Sequence, residues 1–193
     1  MKSIFSVIAG LLFIGAFIPY ILAILRDKHL PPGAEGKTEP SKVTWIIWAS
    51  LDSIVLVGMY FKETINGQII GAVLGAWIVV IFAVRYGESK WSKLDKWCLG
   101  GAVLGIFLWK IFKEATFGIM ISLGVIFIGF IPTLKSAWKD PGREDKLAWT
   151  IFWTSCVYAV LAIPKWTLAD AAQPITFFVI ETIMMYILYI RHR

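Results

Sequence analysis

Two stretches of this chain are nearly the same phrase: FIPYILAILRD, from Phe17 to Asp27, and FIPTLKSAWKD, from Phe130 to Asp140. Each opens Phe-Ile-Pro, stays largely apolar for about two helical turns, and closes on a basic residue followed by aspartate. Arg26-Asp27 aligns with Lys139-Asp140 without a gap. A proline inside a helix removes one backbone hydrogen bond and bends the rod. The phrase therefore reads as a helix end carrying a bend, written once in each half of the chain.

Outward from these phrases the chain is unusually apolar. Of its 193 residues 58% are hydrophobic and 17% charged, against about 45–50% and about 25% in soluble domains. Its apolar runs suit helices that cross a bilayer, which need roughly 20 residues each. Seven are expected: Ser3–Leu25, Val43–Phe61, Gln68–Tyr86, Trp97–Ile111, Ala115–Leu134, Leu147–Pro164 and Asp170–Ile190. The fold class is thus all-α integral membrane, and function is expected among the helices or at their mouths. The first apolar run is too long for the core of a signal peptide and has a counterpart later in the chain, so it is expected to stay as a helix.

The parallel between the halves continues past the quoted phrases. TWIIWAS (Thr44–Ser50) opens the second helix and AWTIFWTS (Ala148–Ser155) opens the sixth; VIFAVRYG ends the third and YILYIRHR the seventh. Residues 1–86 form a first three-helix repeat, 87–114 a linker helix with its loops, and 115–193 a second repeat. One intervening helix keeps both repeats in the same orientation, which is one of the repeat symmetries of transporters.

Lysine and arginine are distributed in step with that arrangement. The loops after helices one, three and five carry four each, and with Arg191 and Arg193 one side holds 14 while the other holds five. The positive-inside rule then puts the N-terminus outside and the C-terminus in the cytoplasm. The net charge of +6 is explained by orientation, without a nucleic-acid partner. Trp45, Trp91, Trp97, Trp138 and Trp166 fall near helix ends, as belt residues do. His29 and His192 are expected at the surface. Cys98 and Cys156 lie within spans, in no disulfide or metal-binding pattern.

The 3+1+3 organisation, with Pro19 and Pro132 at matching places in the first helix of each repeat, resembles the SWEET/PQ-loop superfamily. That superfamily includes MtN3/saliva sugar transporters, lysosomal amino-acid exporters, PnuC-type vitamin transporters and the KDEL receptor. The resemblance implies a parallel pair of three-helix bundles and a solute site between them. Its members often follow the proline with glutamine, whereas Tyr20 and Thr133 stand here, so it implies the architecture and leaves the cargo open. A bacterial inner or plasma membrane is the expected location, and one chain already holds both halves, so a monomer is complete in principle.

Two carboxylates fall deep in expected spans. Asp52 and Glu181 each lie nine residues from the cytoplasmic end of a helix, about 13 Å at 1.5 Å per residue. An ionisable group in hydrocarbon is costly, about 2.5–3.5 kcal/mol on insertion scales, and marks a cavity, a partner or a proton path. Proton coupling through either is an expected option. Trp45, Trp48 and Asp52 share one helix face, at i, i+3 and i+7. Trp149, Trp153 and Cys156, at i, i+4 and i+7, share the equivalent face. Aromatic walls with few polar groups suit small flat or ringed solutes. The expected substrate-binding residues are Trp48, Asp52, Trp149, Trp153 and Glu181, with Pro19 and Pro132 as hinges. Gly67, Gly71 and Gly75, spaced by four, are expected to pack helices closely.

The function expected is transport of a small polar solute (a sugar, amino acid or vitamin) by alternating access. The alternative is a receptor on the same scaffold that binds without transport. No cofactor or metal is implied. Helix seven has no lysine for a retinal Schiff base, and no histidine lies in any span, so neither an opsin nor an intramembrane enzyme is expected.

Overall fold

The computed structural model describes residues 1–31, 34, 37–38, 40–87, 93–139, 141 and 144–191, with the backbone alone at 94, 95, 102, 105, 109, 132 and 136. Among them are seven α-helices and no strand: α1 (Lys2–Asp27), α2 (Lys42–Phe61), α3 (Gly67–Tyr86), α4 (Lys93–Phe112), α5 (Ala115–Lys139), α6 (Lys146–Ala162) and α7 (Leu168–Tyr186). A π-helical turn, Ile187–Arg191, continues α7. Five of these, α1, α2, α3, α5 and α7 with its continuation, are long and apolar enough to cross a membrane. Their outward side chains are apolar too: Leu11, Ile18, Val57, Ile81 and Ile128 are all exposed. A surface of that kind belongs against lipid or another apolar partner.

Local chemistry explains where the helices start and stop. Ser41, Asn66, Asp145 and Thr167 each accept a hydrogen bond from the backbone N–H three residues on, capping α2, α3, α6 and α7. Such caps satisfy donors that the first turn leaves without partners. α4 begins at Lys93, earlier than the expected Trp97. α6 stops at Ala162 rather than at Pro164 because proline disfavours helical backbone in the residue before it, and Ile163 has left the helix at ψ 116°. At 17 residues α6 sits at the short end of the spanning range.

Neighbouring helices pack in the closed order α1, α3, α2, α5, α7, α6 and back to α1, with α4 outside the ring against α5 and α2. The glycine stripe works at the α1–α3 seam. A methyl group added at Gly71 would meet Gly10 O at 2.5 Å, and Gly67 N donates to Ser6 Oγ at 2.7 Å. Small residues here let two backbones touch.

The α2–α3 and α4–α5 turns are tight. Glu63 (φ 56°) and Lys113 (φ 51°) take the left-handed conformation that ends a helix. An ion pair between Lys62 and Glu114 ties the two turns together.

Candidate functional site

Inside the ring lies a cavity of about 420 Å³, within the range of small-molecule sites. It reaches the helix ends where α1 and α5 finish and α2 and α6 begin. Thr38, Ser41, Glu144 and Asp145 line that mouth, and Asp52, Phe13, Phe177 and Glu181 line its depth.

Of the residues expected to bind solute, Trp48, Asp52, Trp149 and Glu181 line this one cavity, and Pro19 does too. Asp52 and Glu181 are 9% and 6% exposed. Glu181 Oε2 has no hydrogen-bond partner among the described residues, and neither carboxylate is in an ion pair among them. Pro132 lies in the helical stretch of α5, and its side chain is outside the described residues.

Trp153 is not in the wall. Its Nε1 donates to Thr182 Oγ1 at 3.0 Å and its ring lies on Phe178, so it faces α7 away from the cavity. Phe152 lines the cavity in its place, with Asp145, Ala148 and Trp149. Those four centre on a stripe from which position 153 is turned by about 100°, since each residue advances a helix by that angle. Cys156 falls nearer the stripe but is not in the lining. Cys98 and Cys156 are both buried, and neither is in a disulfide among the described residues.

An aromatic collar surrounds the space. Trp48 stacks on Phe130 with ring centroids 5.5 Å apart at 11°. Gly129 makes room for that stack, since a methyl there would lie 3.0 Å from Trp48 Nε1. Trp149 meets Phe130 edge-on at 5.5 Å and 90°. Its Nε1 donates to Glu144 Oε2 at 2.9 Å. Burial pushes the Glu144 carboxyl above its ordinary pKa, with the Trp149 bond working the other way. Trp45, expected in the interfacial belt, instead turns inward and donates from Nε1 to the Tyr20 hydroxyl at 3.3 Å. Trp97, Trp138 and Trp166 are exposed, as belt residues would be. Trp91 and His192 lie outside the described residues, and His29 is exposed.

Toward the other end of the ring, outside the cavity lining, lies a chain of hydrogen-bonded amides. Asn66 Nδ2 donates to Gln173 Oε1 at 2.9 Å, and Gln173 Nε2 donates to Gln68 Oε1 at 2.9 Å. Gln68 Nε2 lies 3.1 Å from Cys156 Sγ, and Ser155 Oγ donates to Ala9 O at 2.7 Å. Gln68 and Gln173 are both fully buried. The chain joins α3, α7, α6 and α1.

Sequence reasoning passed over Phe17, Tyr20, Phe130 and Thr133 as site residues, although all four stand in the duplicated phrase and all four line the cavity. The repeat was the signal that could have found them: the Phe of each Phe-Ile-Pro and the residue after each proline take equivalent places. Gln68 and Gln173 carried a weaker signal, an amide within an apolar span. Compared with protein-family models and with curated protein sequences, the chain matches none.

Proposed function

We propose that this chain is a membrane transporter of a small polar solute, with all seven helices crossing the bilayer as two parallel three-helix bundles joined by α4. The observation that carries the reading is the cavity inside the ring, which reaches one set of helix ends and is lined by two buried carboxylates that make no ion pair among the described residues. The order of helices supports the symmetry. Exchanging α1, α2 and α3 for α5, α6 and α7 turns the ring α1, α3, α2, α5, α7, α6 into itself.

In this reading the mouth faces the cytoplasm, because it lies at the end richer in lysine and arginine, and the N-terminus faces outside. Solute enters past Glu144 and Tyr20 and settles beside Trp48, Asp52, Trp149 and Glu181. Release on the far side requires parting the amides of Gln68 and Gln173 while the mouth closes. Pro19 and Pro132 sit where each bundle's first helix would bend. Proton coupling through Asp52 or Glu181 is an added option of the same site.

The test is uptake into proteoliposomes of sugars, amino acids, nucleosides and vitamins by the purified chain. Saturable flux that Asp52→Asn or Glu181→Gln lowers at least tenfold supports the proposal. Saturable binding without flux of any solute overturns transport and favours a receptor. Flux unchanged in both variants at every pH removes the carboxylates from the mechanism.

A further inference from the structure

The cavity's lining is one-sided in charge. The chain has 19 lysines and arginines and a net charge of +6, yet among the described residues none of them lines the cavity, while four carboxylates and nine aromatic rings do. The nearby Lys146 points elsewhere, with its ammonium 5.6 Å from the centre of the Tyr189 ring. Hydroxyl groups of the lining, at Tyr20, Thr38, Ser41, Thr44 and Thr133, lie toward the mouth. In the depth the polar groups are Asp52 and Glu181, each more than nine-tenths buried. Glu181 Oε2 has no partner among the described residues.

We propose that this cavity selects an organic cation, one whose positive charge is spread over alkyl groups or an aromatic ring. The inference deepens the transporter proposal and rests on it only in taking this cavity as the solute's place. Three solute classes meet the lining differently. An anion is repelled by every ionised lining group. A neutral sugar needs many directional hydrogen bonds, and the depth offers two carboxyl groups among rings. A neutral apolar solute would leave buried carboxylates unpaired, which is costly. A cation of low hydration offsets the carboxylates and lies against ring faces, which attract positive charge through their quadrupole. Trp48, stacked on Phe130, and Trp149, edge-on to it, place indoles beside the same space. A compact ammonium such as that of lysine fits less well, because it keeps its water more strongly.

The experiment compares shape-matched probes on the detergent-purified full chain by tryptophan fluorescence titration. Choline is set against its neutral isostere 3,3-dimethyl-1-butanol, and benzyltrimethylammonium, benzoate and glucose complete the set. The expected result is at least tenfold tighter binding of the two cations than of the isostere, benzoate or glucose. Glu181→Gln and Asp52→Asn should each weaken cation binding at least tenfold while leaving the isostere unchanged. Equal affinity for choline and its isostere on the unaltered protein overturns the inference, and that comparison needs no variant to fold. Flux separates the two proposals. Uptake of glucose with no cation binding refutes the cation and keeps the transporter. Tight cation binding without flux of any solute keeps the cation site and refutes the transporter.

Discussion

Replacing Gly71 by alanine tests how closely α1 and α3 depend on bare backbone. The added methyl would sit 2.5 Å from Gly10 O, 3.2 Å from Gly10 C and 3.3 Å from Gly10 Cα. All three are main-chain atoms in a helix, so no side chain can swing aside. The helices must separate by several tenths of an ångström, loosening contacts along the whole seam. Overpacking of this kind costs about 1–3 kcal/mol. Alanine also favours helix over glycine by about 1 kcal/mol, which masks part of the loss. Gly15→Ala supplies the control: it lies in α1, the other helix of the seam, and a methyl there meets nothing within 4 Å. Both variants gain the same propensity, so the difference between them isolates packing. Reversible unfolding of the purified chain in mixed detergent micelles should place Gly71→Ala about 1–3 kcal/mol below Gly15→Ala. A difference smaller than about 0.5 kcal/mol, the usual scatter of neutral surface changes, would refute close α1–α3 contact at this point.

Three further outcomes follow from other parts of the molecule. Gln173→Leu removes two hydrogen bonds of the amide chain; intramembrane bonds average about 0.6 and reach about 1.7 kcal/mol each, so a loss of roughly 1–3 kcal/mol is expected. In a cycle with Gln68→Leu the two changes should be less than additive, and strict additivity would deny that these amides bond. The Glu114 carboxyl is lowered from its ordinary value of 4.5 to about 2, first by Lys62 and then by Thr116. Because the folded pKa lies below the unfolded one, this contribution is present above about pH 4.5 and fades as pH falls toward 2. Melting temperature should therefore drop more steeply over that window in the parent than in Glu114→Gln, and parallel curves would count against the ion pair. Glu63 holds φ at 56°, a left-handed conformation that costs a residue with a side chain about 1–2 kcal/mol. Glu63→Gly should raise the melting temperature, and a fall would mean that the carboxylate contributes more than the backbone strain removes.

Helical spacing and carboxylates within apolar spans made part of the site legible before any helix was placed, whereas the aromatic and post-proline residues of the duplicated phrase were passed over. The spacing of Trp45, Trp48 and Asp52 put all three on one face of α2, and they share the cavity wall. The same reasoning failed on α6. Trp153 has the right chemistry and was paired with Trp149 at i+4, but the inward stripe runs through i+3, to Phe152. Amphipathic contrast usually reveals the inward face of a helix. In α6 it is blurred, because aromatic residues occupy both the cavity side and the outer side. Trp45 failed for another reason. Its place near a helix end fits the membrane interface equally well, and the Tyr20 hydroxyl that draws it inward lies in a different helix.

What the sequence determined alone is what contiguous residues decide together: long apolar helices, their caps, the close-packing glycines and the imbalance of charge between the two ends. Hydropathy and helical propensity are local sums, so they survive without knowledge of neighbours. Which side chains meet was decided only in three dimensions. One step along a helix turns a side chain by about 100°, and the rotation each helix adopts is set by the partners packed against it. The Gln68–Gln173 bond joins residues far apart in the chain, and the Trp48–Phe130 stack joins α2 to α5. Neither pairing exists until the ring closes and buries groups that must then find each other.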